Sequence, residues 1–189
     1  MDAFLVTAGV VAVAEIGDKS QFLVLALATK YRRPIPIIGG MLAATLLNHT
    51  LAAGAGLWLS ALIGPWSVRW MLGLSFVGIG IWALLPTADE EARVPAPRYG
   101  VFLTTLAAYF LLEMGDKTQI ATIALAAKFG SPLPVIGGST LGALLADVPV
   151  VILGAAAADK IQTRVFQKVG PCIFLVIGIG ILLGFGPGR

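Results

Sequence analysis

Charge is scarce in this chain: Asp, Glu, Lys and Arg make up 12% of its 189 residues, against 58% hydrophobic side chains. A soluble surface carries about a quarter or more charged residues, so no ordinary water-facing shell can be built from this composition. Lipid is the expected solvent. Cysteine is reduced to Cys172 and histidine to His49, which excludes an internal disulfide and any thiolate cluster of the zinc or iron–sulfur kind. No P-loop or phosphorylation motif appears in any loop, and this disfavours ATP as a direct energy source. The start, Met1-Asp2-Ala3-Phe4, lacks both a basic stretch and a small-residue cleavage site. The first apolar run therefore reads as a retained span rather than a signal peptide.

What the chain has instead is long apolar runs, at residues 3–28, 36–62, 68–85, 101–127, 134–157 and 165–185. A helix needs about 20 apolar residues to cross the hydrocarbon core, so the expected fold is an all-α membrane protein with six transmembrane helices and short loops. The loops after spans one, three and five share a face. They carry eight basic residues (Lys30, Arg32, Arg33, Arg93, Arg98, Lys160, Arg164 and Lys168), against three on the other face (Arg69, Lys128 and Arg189). The positive-inside rule then places the central loop in the cytoplasm and both termini in the periplasm of an inner, plasma-type membrane. The net charge of +3 lies in these loops, and no nucleic-acid partner is expected. Asp89-Glu90-Glu91, in the central loop, reads as a solvated turn, with a metal-gathering patch as the sharper alternative.

Sliding the sequence on itself by 98 residues lays Glu15-Ile16-Gly17-Asp18-Lys19-Ser20-Gln21 over Glu113-Met114-Gly115-Asp116-Lys117-Thr118-Gln119. At the same offset Pro34 and Pro36 meet Pro132 and Pro134, and Gly39-Gly40 meets Gly137-Gly138. The chain reads as a tandem duplication, residues 1–88 and 99–189, joined by a cytoplasmic linker at 89–98. Three spans per repeat is an odd number, so the halves enter the membrane from opposite sides. Inverted repeats of this kind recur in secondary transporters, because a site on their pseudo-two-fold axis can open to either side. The plan favours a carrier over an enzyme.

Both motif copies fall halfway along an apolar span, where each ionised side chain costs about 2.5–3.5 kcal/mol or more. On an unbroken helix Glu15 and Lys19, and likewise Glu113 and Lys117, stand at the spacing of a stabilising pair. That pairing leaves Asp18 and Asp116 unexplained. Glu15 shares a helix face with Asp18, as Glu113 does with Asp116, so four carboxylates can be aimed at one cavity between the halves. Four carboxylates facing two lysines suit a divalent cation. Gly17 and Gly115 allow either close helix approach or an unwound backbone with exposed carbonyls. Ser20, Thr118, Gln21 and Gln119 offer neutral oxygens or, equally, interhelical hydrogen bonds. Hard oxygen donors suit Mn²⁺, Ca²⁺ or Mg²⁺ and disfavour Cu⁺ or a thiolate zinc site. His49 and Asp147, also 98 residues apart inside apolar helices, are candidates with Asn48 for a proton relay or an outer shell around the metal, or for plain interhelical hydrogen bonding.

Residues 15–20 and 113–118 resemble the signature of the Golgi and bacterial calcium/manganese cation exporter family, whose hallmark is two Glu-x-Gly-Asp-Lys-Thr/Ser copies. The resemblance spans nearly the whole chain and implies a six-helix bundle that is similar, in the bacterial branch, to manganese exporters. It implies that Glu15, Asp18, Glu113 and Asp116 bind the cation, with Mn²⁺ or Ca²⁺ as cargo and no resident cofactor. Proton exchange is the expected driving force, and Lys19 and Lys117 would balance the acids when the site is empty. A small-solute or amino-acid exporter is the alternative, with a membrane scaffold behind it; a homodimer stays open. The topology is checked by reporter fusions: a fusion near Glu90 reports cytoplasm and one at Arg189 periplasm, and a cytoplasmic Arg189 contradicts the basic-residue bias.

Overall fold

The computed structural model describes residues 1–84, 96, 99–154 and 163–184, without the side chains of Pro65 and 163–170. The Asp89-Glu90-Glu91 patch and most of the linker at 89–98 lie outside the described residues. Within them the chain is helical: α1 (Asp2–Glu15), α2 (Lys19–Tyr31), α3 (Pro34–Leu62), α4 (Pro65–Leu84), α5 (Gly100–Glu113), α6 (Lys117–Phe129), α7 (Pro132–Leu153) and α8 (Thr163–Leu182). Three of these, at Pro34–Leu62, Trp66–Leu84 and Pro132–Leu153, are single helices long and apolar enough to cross a membrane. The first and fourth expected spans are each broken in two, at Ile16–Asp18 and Met114–Asp116.

The burial pattern fits a lipid solvent. Leu51, Leu145 and Val176 stand outward, each more than half exposed, while Glu15, Asn48, His49, Glu113 and Asp147 are turned inward with several threonines. Buried polar groups glue helices where no water competes, and outward leucines cost nothing against acyl chains. Trp66 and Trp70, with ring centroids 5.8 Å apart, open α4, a place where amphipathic rings settle at a membrane interface.

Helix packing pairs long with broken. Both α1 and α2 lie along α7, and both α5 and α6 lie along α3. Glycines set the approach. A Cβ on Gly138 would meet the Phe4 carbonyl oxygen at 2.5 Å, and one on Gly40 would meet that of Phe102 at 2.7 Å. Phe4 and Phe102 are themselves 98 residues apart, so the two contacts repeat each other. Helix α4 packs on α8, and there Phe76 meets its own counterpart, Phe174, with ring centroids 5.2 Å apart. At the far end of that pair Arg69 closes α8, donating from Nε to the Ile181 carbonyl at 3.1 Å and from a terminal nitrogen to the Leu182 carbonyl at 2.7 Å. A cation there satisfies carbonyls that a helix end leaves unpaired.

Close backbone packing predicts an asymmetric glycine response. Gly138→Ala should cost about 1–3 kcal/mol by forcing α1 off α7, lowering the melting temperature in detergent by several degrees. Gly9→Ala, with nothing within 4 Å of the added carbon, should leave it unchanged or raise it. Equal melting of Gly138→Ala and wild type would contradict this packing.

Candidate metal centre

The motif begins as a helix end. Glu15 is the last residue of α1, and Ile16 follows at φ −62°, ψ 118°, then Gly17 at φ 79°, with the Asp18 amide donating to the Glu15 carbonyl at 3.0 Å. These are the dihedrals and the bond of a type II turn, whose third position requires the left-handed region that glycine enters without strain. The second copy repeats it: Met114 at φ −67°, ψ 116°, Gly115 at φ 80°, and Asp116 N–H to the Glu113 carbonyl at 3.2 Å. A side chain at Gly115 would find open space, so conformation rather than room demands glycine there.

The aspartates then start new helices. Asp18 and Asp116 hold the N-cap positions of α2 and α6, and the Asp116 carboxylate accepts from the Thr118 amide at 3.4 Å. Three residues on, Gln21 and Gln119 reach back, their carbonyl oxygens accepting from the Gly17 and Gly115 amides at 2.8 and 2.7 Å. This is close kin to the capping box. It satisfies amides that the break would otherwise orphan in a membrane interior. Gln21 also donates to the Ala146 carbonyl on α7 at 3.0 Å. The glutamines therefore fasten the break rather than offer free oxygens to an ion.

Of the two alternatives open at Gly17 and Gly115 the structure takes the broken backbone, so the shared helix face of Glu15 with Asp18 and of Glu113 with Asp116 does not form, nor does the glutamate–lysine pair that an unbroken helix would allow. Lys117 ignores Glu113 and crosses to the other copy, its Nζ 3.0 Å from Asp18 Oδ1. Lys19 is exposed. A break re-aims the side chains: the lysine, one residue into the new helix, no longer stands a turn above the glutamate.

Glu15 is fully buried and Glu113 nearly so. Ser20 Oγ donates to Glu15 Oε2 at 2.8 Å, and Thr118 Oγ1 to Glu113 Oε2 at 3.3 Å, which orients each glutamate. Glu15, Glu113 and Asp116 bring one carboxylate oxygen each to within 4.8 Å of one another, and Glu15 Oε1 has no hydrogen-bond partner. Three oxygens at that separation, drawn from both copies, fit the donor set of a hard divalent cation. Asp18, the fourth expected acid, is adjacent but engaged by Lys117.

Asp147 is buried and within electrostatic reach of Glu15. One of its oxygens accepts from the Tyr109 hydroxyl at 2.5 Å, and the other has no partner. Tyr109 escaped the sequence reading: a single tyrosine in an apolar run, opposite Val11 in the other copy, carries no motif. Asn48 donates to the Phe110 carbonyl at 3.1 Å, fastening α3 to α5. His49 is buried with Nδ1 unpartnered and is outside the acid cluster.

The sequence model of the GDT1 family, described as divalent cation/proton antiporter GDT1, matches residues 3–91 and 101–186. A Vibrio cholerae protein named "Putative manganese exporter" is 42% identical over 95% of this chain and 90% of its own length. GDT1-like protein 4 of Arabidopsis thaliana is 28% identical over 88% of this chain and 89% of its own, and a GDT1-like protein of Synechocystis 28% identical over 92% and 94%. No solved structure matches.

Asparagine caps a helix as well as aspartate does, so Asp18→Asn and Asp116→Asn separate capping from charge. Each should keep the folded protein while abolishing metal transport, and the double variant should be no worse than either single one, since residues acting as a unit fail together. Additive partial losses would point to two separate sites, and wild-type transport in both would remove the aspartates from the chemistry.

Proposed function

Because the chain belongs to the GDT1 family of divalent cation/proton antiporters, we propose that it exports Mn²⁺ from the cell in exchange for protons, with Ca²⁺ as the second candidate cargo. One observation carries the reading: three carboxylates from two copies of one motif converge inside the bundle. All the converging donors are oxygens, which suits Mn²⁺ or Ca²⁺ over Cu⁺. The name of the Vibrio cholerae relative favours manganese of the two. An amino-acid cargo is disfavoured, because its carboxylate would face three acids of like charge.

In this reading six spans form two inverted halves, with α1 and α2 making one broken span and α5 and α6 another. The family match to residues 3–91 and 101–186 supports the division, as do the matching contacts of Gly40 with Phe102 and of Gly138 with Phe4 and the meeting of Phe76 with Phe174. A two-fold axis requires a residue lying on it to touch its own equivalent. The metal then sits between the halves, in the inner membrane, with the central loop cytoplasmic.

Moving a divalent ion out of an inside-negative cell costs about 4.6 kcal/mol per 100 mV, twice the roughly 2.3 for one charge. Protons entering along their gradient offset that cost. Each proton taken by a carboxyl of the cluster removes one negative charge from the donor set and weakens its hold on the metal. Asp147, held by Tyr109 beside the cluster, is a second carboxyl to receive a proton.

Proteoliposomes test this. Mn²⁺ uptake should follow an imposed pH gradient, acid on the side opposite the added metal, and collapse with a protonophore. Zn²⁺ and Cu⁺ should be transported far less. Uptake indifferent to the gradient, or equal for all metals, would contradict the proposal.

A further inference from the structure

The two motif copies share one backbone but not one set of partners. Their turn dihedrals agree within a few degrees, φ 79° against 80° at the glycines and ψ 118° against 116° before them. Their aspartates sit at φ −84°, ψ 171° and φ −76°, ψ 168°. Yet Lys117 is largely buried on Asp18 of the other copy, while its counterpart Lys19 is exposed and makes no ion pair with Asp116. A cross-copy bridge implies its mirror image, in which Lys19 reaches Asp116. Both cannot hold while Asp116 sides with Glu15 and Glu113 in the acid cluster.

We propose that Lys19 and Lys117 are alternating counter-ions that decide which aspartate completes the metal site. With Lys117 on Asp18, Asp116 has no lysine of the other copy on it; it keeps its bond from the Thr118 amide and joins Glu15 and Glu113 as third donor. With Lys19 on Asp116, Asp18 takes that place. The two glutamates are common to both states and the third donor changes hands, so the ion stays between the halves while its access changes. Because the turns already match, the exchange requires lysine side chains and relative motion of the halves, not refolding of either break. The lysines act through the aspartates they cover and are positioning residues. The inference rests on the two-fold reading of the halves given above.

Hydrogen exchange of the purified full chain, without metal and without a pH gradient, tests it. Lys117→Gln removes the bridge present here and should shift exchange in peptides covering α2 and α6 toward the opposite state, by about tenfold for each 1.4 kcal/mol of bridge lost. Adding Lys19→Gln removes the competing bridge and should reverse that shift toward wild type. Lys117→Arg, which keeps the charge, should retain the wild-type pattern. If the lysines merely stabilise the fold, the double variant will exchange faster than either single one, and that result overturns the proposal, as does a Lys117→Gln map left unchanged by the second substitution. The readout needs no cargo: a wild-type protein that carries no Mn²⁺ but shows the reversal would sink the exporter reading and leave the lysine exchange standing.

Discussion

A carboxylate in hydrocarbon is held only where a cation, a hydrogen-bond donor or a metal answers it, and this chain buries several within one bundle. Every unusual feature near the middle of the molecule follows from that constraint. Ser20 and Thr118 each give a hydroxyl to a glutamate, Lys117 neutralises Asp18, and Tyr109 holds Asp147. The oxygens left over, Glu15 Oε1 and Asp147 Oδ1, have no partner among the described residues. An unanswered buried oxygen costs about 1–3 kcal/mol, more when charged, and a passing cation or proton is what such oxygens are suited to receive.

The motif itself is a short grammar in which each position has one task. Glutamate ends the helix with its side chain inward. The variable residue and glycine make a type II turn, aspartate takes the N-cap position of the next helix, the lysine of the second copy answers the aspartate of the first, the hydroxyl residue orients the glutamate, and glutamine accepts from the glycine amide of the break. Running the grammar twice, on elements that pack against each other's long helices, brings the ends of α1 and α5 together. Neither copy alone assembles three acids, which is why the duplication matters to the chemistry as well as to the fold.

Much of this was legible in the residues. Apolar run length marked the helical stretches, and the register of the 98-residue offset marked equivalent positions before any packing was known. The broken helices were legible only as an alternative, an unwound backbone at Gly17 and Gly115, although a stronger signal was present. Asp-x-x-Gln after a glycine is a helix start, and in both copies it stands inside what hydropathy alone calls a continuous span. Hydropathy averages over the turn and so conceals it. The cross-copy bridge from Lys117 to Asp18 could not be read at all, because a local i,i+4 partner is always available on paper and only the break removes it. Tyr109 stayed invisible for a different reason: its role depends on α5 meeting α7, and that distance lies in packing rather than in spacing.

The central claim is that one divalent ion is held jointly by both motif copies. Direct titration of the purified chain with Mn²⁺, followed by electron paramagnetic resonance of free and bound ion, measures it. The account predicts one tightly bound ion per chain, lost entirely in Glu15→Gln and equally in Glu113→Gln, since each removes a donor from the same site. Two ions per chain, or one ion surviving in either variant, would contradict it.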